Sequence, residues 1–135
     1  MIKLQAVFIV ALGGACGAIL RYGLSLLTRS WSDWLPWGTL LSNAGGCLLL
    51  GIVTALALEW SILPGPWFLF LATGLCGGFT TMSTFIFELV GALKEGQFGF
   101  VFVYAVGGFV LNLFFFMAGH KFVQIWFSRG FECSR

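Results

Sequence analysis

Residues 74–88 have the sequence GLCGGFTTMSTFIFE, in which three glycines precede four hydroxyl side chains within five positions and a carboxylate, Glu88. This stretch ends an uncharged apolar segment, residues 60–87, which is longer than the ~20 residues that a helix needs to cross a bilayer. Glycine and clustered hydroxyls weaken the interior of a helix, because the first adds backbone freedom and the second compete for backbone hydrogen bonds. We therefore expect the fold to depend on the backbone conformation of this stretch within the membrane.

The composition indicates that lipid surrounds most of the chain. Charged residues make up 9% of the 135 residues and hydrophobic residues 59%, whereas soluble domains carry roughly 25% charged residues. One small core could not bury that much apolar surface. At ~20 residues for each spanning helix, the length fits one transmembrane domain of four helices, residues 1–135.

The charged residues separate four uncharged windows, which we interpret as four spans of an all-α membrane protein. Proline and glycine mark the connections at residues 30–36 and 62–66, where a helix is expected to stop. The last residues, 128–135, are expected to form a solvated or interfacial end. The predicted helices cover residues 4–27, 38–59, 66–93 and 97–122.

The basic residues are nearly balanced between the two sides of the predicted domain. The side that holds both termini carries Lys3, Lys121, Arg129 and Arg135, and the other side carries Arg21, Arg29 and Lys94. Orientation follows the Lys and Arg bias of short loops, and a difference of one residue gives almost none. The chain can then insert in both orientations and form an antiparallel dimer with dual topology. A single, weakly biased topology fits the same count.

Small residues recur at helical spacing and predict close helix packing. Helices in lipid associate where small side chains let their backbones approach. The chain has 19 glycines, and dense packing of four helices and of a partner subunit is expected. The pairs that indicate it are Gly13 with Gly17, Gly46 with Gly51, and Gly74 with Gly78.

Four polar side chains lie inside predicted spans and are candidate functional residues. Arg21 either extends toward the interface or lines a water-filled vestibule. Asn43 and Asn112 supply amide donors, which either bond between helices or bind a desolvated anion. Tyr104 precedes Asn112 by eight residues, about two turns, so that the two share one face of the last helix.

The glycines of residues 74–79 are expected to interrupt the third helix near its middle. Backbone groups freed in this way are tolerated only inside the protein or along a polar cavity. Carbonyl oxygens freed there suit a hard cation such as Na+. Beyond the interruption, Thr81, Thr84 and Glu88 are spaced three and four apart and form a polar stripe. Met82 and Phe85 form an adjacent one.

The chain lacks the residues that several classes of protein need for their function. The chain has no paired carboxylates within a span, no Ser/His/Asp set and no phosphate-binding loop, so we expect no enzyme. Seven scattered basic residues do not favour binding to nucleic acid. The four cysteines lack the spacing of a zinc or redox motif, and we expect them and His120 to be structural. A passive ion pathway fits better.

Three segments resemble the signature blocks of the Fluc (CrcB) fluoride channels. They are GGACGAILRYGLS at residues 13–25, WGTLLSNAGGCLLLG at 37–51 and TGLCGGFTTMSTFIFELVGALKEG at 73–96. The blocks occur in the family's order, and the similarity extends over almost the whole chain. The third block, with the pattern GxCGGxTTxSTF, is the most specific.

The resemblance implies an antiparallel homodimer that exports cytoplasmic fluoride passively through two pores. It implies a central structural Na+ held by backbone carbonyls at Gly77 and Thr80 of each subunit. Around the pores, the residues that match the family's functional positions are Asn43, Ser83, Thr84, Phe85 and Tyr104, with Arg21 and Glu88 at the vestibule.

Two expected pore positions differ from the family's pattern. Met82 stands where the family has the first phenylalanine of TTFSTF, and a thioether lacks the electropositive ring edge that a phenyl offers to an anion. Asn112 stands where the family has a small hydroxyl residue. Two alternatives remain: a small dual-topology multidrug transporter, for which the first span lacks a carboxylate, and an accessory subunit of a heterodimeric fluoride channel.

Overall fold

The computed structural model describes residues 4–31 and 34–132, and every regular element in these ranges is helical. The helices are α1 (Leu4–Thr28), α2 (Trp37–Glu59), α3 (residues 65–79), α4 (Met82–Lys94) and α5 (Phe98–Glu132). The third span, Gly65–Lys94, consists of α3 and α4 together. Four segments are long and apolar enough to cross a membrane, which confirms the prediction of four spans.

Both predicted ends of each of the first three spans agree with the structure to within one residue. The predicted C-terminal end of the fourth span does not. We predicted a helix over residues 97–122, whereas α5 continues to Glu132. The charged residues after position 120 mark where the apolar segment stops. A helix satisfies its backbone groups internally and can continue past that point into water. Part of the predicted solvated end is therefore helical, and residues 133–135 lie outside the described residues.

Two helices contain stretches of π-helix, in which the turn is wider than in an α-helix. One is the last turn of α2, Ala55–Glu59, and the other is Leu69–Cys76 within α3. Such turns are rare and are frequently found at functional sites. The second includes Gly74 of the opening stretch and ends directly before Gly77.

Glycines allow the helix backbones to touch at two crossings. A Cβ added at Gly17 of α1 would lie 2.7 Å from the backbone nitrogen of Phe79, and one at Gly74 of α3 would lie 2.9 Å from the Cα of Gly13. At the other crossing, a Cβ at Gly119 of α5 would lie 3.2 Å from the nitrogen of Ile52 in α2. The glycine pairs at 13 and 17 and at 74 and 78, from which close packing was predicted, lie where α1 packs on α3. The spacing did not indicate which helices would meet.

The large apolar side chains mostly face outward. Phe87 is 78% exposed and Phe102 is 69% exposed, and both lie within spans. The buried positions are instead occupied by small and polar residues, among them Ala44, Ser42 and Asn43. This distribution is typical of a protein whose surroundings are apolar, because lipid rather than a core then covers the hydrophobic side chains.

Candidate functional site

The opening stretch contains two extended residues between two helices. α3 ends at Phe79, Thr80 and Thr81 have β-region backbone angles, and α4 begins at Met82. The glycines at 74, 77 and 78 are themselves helical. The extended residues therefore lie just after the glycine cluster rather than within it. Gly74 and Gly78 serve close packing against α1, whereas a Cβ added at Gly77 would meet nothing within 4 Å. Two hydroxyl residues, Thr80 and Thr81, form the extended segment.

Local hydrogen bonds stabilise both ends of this extended segment. The backbone N–H and the hydroxyl of Thr80 both donate to the carbonyl of Cys76, each at 2.9 Å. The hydroxyl oxygen of Thr81 accepts the N–H of Thr84 at 3.2 Å and so caps α4. A threonine is a favoured N-terminal cap because its oxygen satisfies a free amide of the first turn.

Asn43 of α2 holds the extended segment from the side. Its Nδ2 donates to the Thr81 carbonyl at 3.0 Å, and its Oδ1 accepts the Thr81 N–H at 2.6 Å. The side-chain amide thus pairs with the Thr81 backbone as a neighbouring strand would. One N–H of Nδ2 remains beyond this pair, since a primary amide has two. Asn43 is 9% exposed.

Two carbonyls near the extended segment lose the donors that a continuous helix would give them. The Thr81 N–H, which would bond to Gly77 in an α-helix, is donated to Asn43. The Thr84 N–H, which would bond to Thr80, is donated to the Thr81 hydroxyl. The carbonyl of Gly78, which follows Gly77, accepts a hydrogen bond from Arg21 Nε at 3.2 Å.

The hydroxyl groups bond to one another rather than to helix carbonyls alone. The Thr81 hydroxyl donates to the Thr84 hydroxyl at 3.0 Å and lies 3.3 Å from that of Ser83. Neutral hydroxyls both donate and accept, so such a chain can reorient toward an ion of either sign.

Glu88 lies further along α4 and is held by two hydroxyl donors from other helices. The hydroxyl of Thr39 in α2 donates to its Oε1 at 2.6 Å, and that of Tyr104 in α5 donates to its Oε2 at 2.8 Å. Both donors belong to buried residues. The carboxylate therefore joins α2, α4 and α5.

Phe85 packs against α5 rather than facing the lipid. Its ring centroid lies 4.8 Å from that of Tyr104 at an interplanar angle of 51°. A Cβ added at Gly108 would lie 3.2 Å from the Phe85 ring, so glycine provides the space. Met82, one turn earlier on α4, is 67% exposed. The two side chains thus have different surroundings although three residues separate them.

Two cavities meet at Thr81. The first, the asparagine cavity, has a volume of about 300 Å³, and the second, the arginine cavity, about 280 Å³. The asparagine cavity is lined by Asn43, Gly46, Cys47, Leu50, Ala72, Cys76, Gly77, Thr80, Thr81, Met82 and Asn112. The arginine cavity is lined by Ala18, Arg21, Tyr22, Ser25, Gly38, Thr39, Thr81 and Thr84.

The cavities divide the residues that the sequence predicted for the site. The asparagine cavity brings together the two residues predicted for Na+ and three predicted for the pore, which are Gly77, Thr80, Asn43, Met82 and Asn112. The arginine cavity brings together Arg21 and Thr84. Ser83, Phe85, Tyr104 and Glu88 line neither cavity but lie on or against α4.

Tyr104 and Asn112, both on α5, serve different parts of the site. The Tyr104 hydroxyl donates to Glu88. Asn112 lines the asparagine cavity, and its Oδ1 is buried without a hydrogen-bond partner among the described residues. A buried acceptor without a donor is costly, so this amide is suited to a ligand, a water molecule or a partner subunit.

Sequence reasoning missed two sets of residues. The first is Thr39, which bonds to Glu88. It lies in the signature-like block of residues 37–51, but no sequence spacing relates it to a residue 49 positions away. At the other end of α2, Glu59 Oε1 lies 3.1 Å from His120 Nε2. Gln124 Nε2 donates to the same carboxylate at 2.9–3.0 Å. His120 therefore has a carboxylate partner in space, although none lies near it in sequence.

Among the described residues, no group of three or more His, Cys, Asp or Glu side chains is placed to hold a metal ion. The carbonyls of Gly77 and Thr80, whose helical donors are used elsewhere, and the nearby hydroxyls offer neutral oxygens to a cation. Such ligands are typical of hard cations rather than of zinc or copper.

Comparison with known proteins points to one family. Residues 8–120 match the family described as "CrcB-like protein, Camphor Resistance (CrcB)". A "Fluoride-specific ion channel FluC" of Prosthecochloris aestuarii is 36% identical over 124 residues, which cover 92% of this chain and 97% of that protein. A protein of the same name from Thermus thermophilus is 42% identical over 119 residues, covering 87% of this chain and 94% of the relative.

Proposed function

The chain belongs to the CrcB-like family, and on that premise we propose that it is a fluoride-selective channel through which cytoplasmic fluoride leaves the cell passively. Its relatives are named as ion channels, a class of proteins that are not enzymes. With four spans, the chain is a multi-pass protein of the plasma membrane. The observation that carries the proposal is the pair of cavities, lined mainly by neutral groups, that meet at Thr81.

The neutral donors suit a strongly hydrated anion. A pore must replace the water around the ion without trapping it, and amide and hydroxyl donors bind an anion more weakly than fixed cations do. The remaining N–H of Asn43 and the amide of Asn112 supply such donors in the asparagine cavity. The Thr81 and Thr84 hydroxyls continue the path into the arginine cavity.

The charged residues act at the ends of this path. Arg21 lines the arginine cavity and donates to the Gly78 carbonyl, so its positive charge raises the local concentration of anions while its position stays fixed. Glu88 would repel an anion, but its oxygens are occupied by the hydroxyls of Thr39 and Tyr104. Ser83 and the ring edge of Phe85 add donors along α4.

A structural Na+ fits the carbonyls that the extended segment leaves without helical donors. In this proposal the Gly77 and Thr80 carbonyls of each subunit hold the ion at the centre of the dimer. The amides that would otherwise bond to them are donated to Asn43 and to the Thr81 hydroxyl. Oxygen ligands of this kind suit a hard cation, and the ion when bound would fix the two third spans against each other.

The same proposal includes an antiparallel homodimer with dual topology and two pores. The near balance of basic residues supports insertion in both orientations. The buried Asn112 Oδ1 beside a cavity that a second chain could cover supports a partner at this face. Two such subunits, related by a two-fold axis, would each contribute to both pores.

Fluoride efflux tests the channel directly. Liposomes loaded with KF and containing this chain alone should release fluoride when valinomycin lets potassium follow, as measured with a fluoride electrode. Liposomes loaded with KCl are the control and should release little chloride. No fluoride efflux from well-folded protein would overturn the self-sufficient channel and favour an accessory subunit. Efflux that requires a proton gradient would favour a transporter.

Labelling tests the topology. In a background in which every cysteine is replaced by serine, Ser30→Cys places one thiol in the exposed segment after α1. A membrane-impermeant maleimide added outside should label about half of the molecules if both orientations are equally populated. Complete labelling, or complete protection until the membrane is opened, would show a single topology.

A further inference from the structure

Three sulfur side chains line the asparagine cavity, and the proposed channel function gives no role to two of them, the cysteines. Cys47 comes from α2, Cys76 from α3 and Met82 from α4. Both cysteines are free thiols. Cys76 is 2% exposed, and Cys47 is half-buried.

The register of α2 against the third span places Cys47 and Cys76 at a similar level of the packed helices. The segments run antiparallel, because the short connection of residues 60–64 joins them. Asn43 bonds to Thr81, so a residue one turn after Asn43 lies opposite one about a turn before Thr81. Cys47 and Cys76 occupy these positions.

A second contact supports this register. A Cβ added at Gly46, the residue before Cys47, would lie against the Thr80 side chain. The carbonyl of Cys76 accepts both hydrogen bonds from Thr80. Thr80 thus touches the chain next to Cys47 and bonds to the Cys76 backbone, and both cysteines line the asparagine cavity.

From this arrangement we propose that the asparagine cavity binds a soft, thiophilic metal ion, such as Cu+ or Ag+, between the thiolates of Cys47 and Cys76, with the Met82 thioether as an additional ligand. Thiolate and thioether sulfur select soft cations. The cavity, at about 300 Å³, is far larger than a single ion. This site differs from the proposed Na+ site, whose ligands are carbonyl oxygens and suit hard cations.

Binding changes the charge of the cavity. Two thiols release their protons to water as one monovalent ion binds, and the bis-thiolate complex carries one negative charge. The complex would lie beside the amides of Asn43 and Asn112, where the proposed function places the anion. Repulsion and loss of space should then stop fluoride movement. The soft ion therefore acts as an inhibitor of the channel.

Silver provides a direct test, in nitrate buffers that avoid precipitation of silver chloride. The purified protein, first treated with a thiol reductant that is then removed, is titrated with Ag+. The bound metal is counted by native mass spectrometry. Cys16 is an exposed thiol on α1 outside the cavity. All variants are compared in a background that carries both Cys16→Ser and Cys133→Ser, because any other thiol would bind silver by itself and equalise the counts. We expect this background, the matched control, to retain one tightly held ion in each subunit, and Cys47→Ser within it to lose that ion.

A second variant and a flux measurement complete the test. Cys76→Ala should also lose the ion, which guards against a folding defect specific to one substitution. Ag+ should inhibit efflux through the wild type and the background with Cys16→Ser and Cys133→Ser, and each cavity variant should keep its own uninhibited rate. The proposal is overturned if Cys47→Ser and Cys76→Ala bind as much silver as that background. The binding count does not depend on fluoride transport, so it remains decisive even if the protein conducts no fluoride.

Discussion

The two halves of the third span are positioned in different ways. α3 packs by its backbone, with Gly74 and Gly78 against α1. α4 has only one buried residue, Leu89, and polar contacts join it to the rest of the protein through Glu88. A backbone crossing tolerates no added atoms, whereas a few hydrogen bonds can be altered without unfolding the helix. We therefore expect substitutions at the α3 crossing to affect folding most, and those around α4 to affect transport most.

The largest expected effect is on stability, at the α1–α3 crossing. Gly17→Ala places a Cβ 2.7 Å from the Phe79 nitrogen, so the helices must separate, at a cost of about 1–3 kcal/mol for overpacking. Gly23→Ala on the same helix is the matched control, because nothing lies within 4 Å of its added Cβ. Thermal unfolding in detergent should show a lower Tm for the first variant alone. Equal values would mean that the crossing adapts readily.

The next effect concerns the Asn43 contact with the extended segment. Asn43→Asp keeps the acceptor for the Thr81 N–H but loses the donor to its carbonyl, and it adds a negative charge to the asparagine cavity. A buried group left unpaired costs about 1–3 kcal/mol, and we expect fluoride efflux to fall close to the background rate. Ser42→Ala removes a bond within α2 only and serves as the control. Unchanged efflux in Asn43→Asp would exclude this residue from the path.

A smaller effect is expected at Tyr104. Tyr104→Phe keeps the ring that packs on Phe85 but removes the hydroxyl that donates to Glu88. The lost hydrogen bond is worth about 0.5–1.5 kcal/mol. Efflux should fall without being abolished, because a Glu88 oxygen is then free to repel the anion. If Tyr104→Phe and Tyr104→Ala reduce efflux equally, the ring contributes nothing beyond the hydroxyl.

The smallest expected effect is a gain at Met82. Met82→Phe restores the ring that the family pattern has at this position and offers an electropositive edge to the anion. The side chain lines the asparagine cavity and is exposed, so a ring fits without repacking, and efflux should rise while the Tm stays constant. Ile86→Phe adds a ring one turn further along α4, outside both cavities, and should change neither. A lower rate in Met82→Phe would mean that the thioether suits this pore better.

Much of the site could be identified from the sequence, because its residues lie in short blocks. The run of residues 74–88 indicated a special segment, and Asn43 was identified as a buried amide. The sequence did not indicate that the amide bonds to the Thr81 backbone. It also placed the interruption at the glycines, whereas the extended residues are Thr80 and Thr81. Glycine permits both an irregular backbone and a close helix contact, and only the neighbouring helix decides between them.

The sequence by itself determined the number of spans, since charges are excluded from the bilayer core and mark where each apolar segment stops. It also indicated the amide and hydroxyl residues on which the proposed anion path rests. The tertiary structure decided which distant residues come together: Thr39 bonds to Glu88 across 49 positions, and Cys47 and Cys76 line the same cavity. Local composition reports the solvent around each segment, whereas partners distant in sequence depend on how the helices cross and in what register.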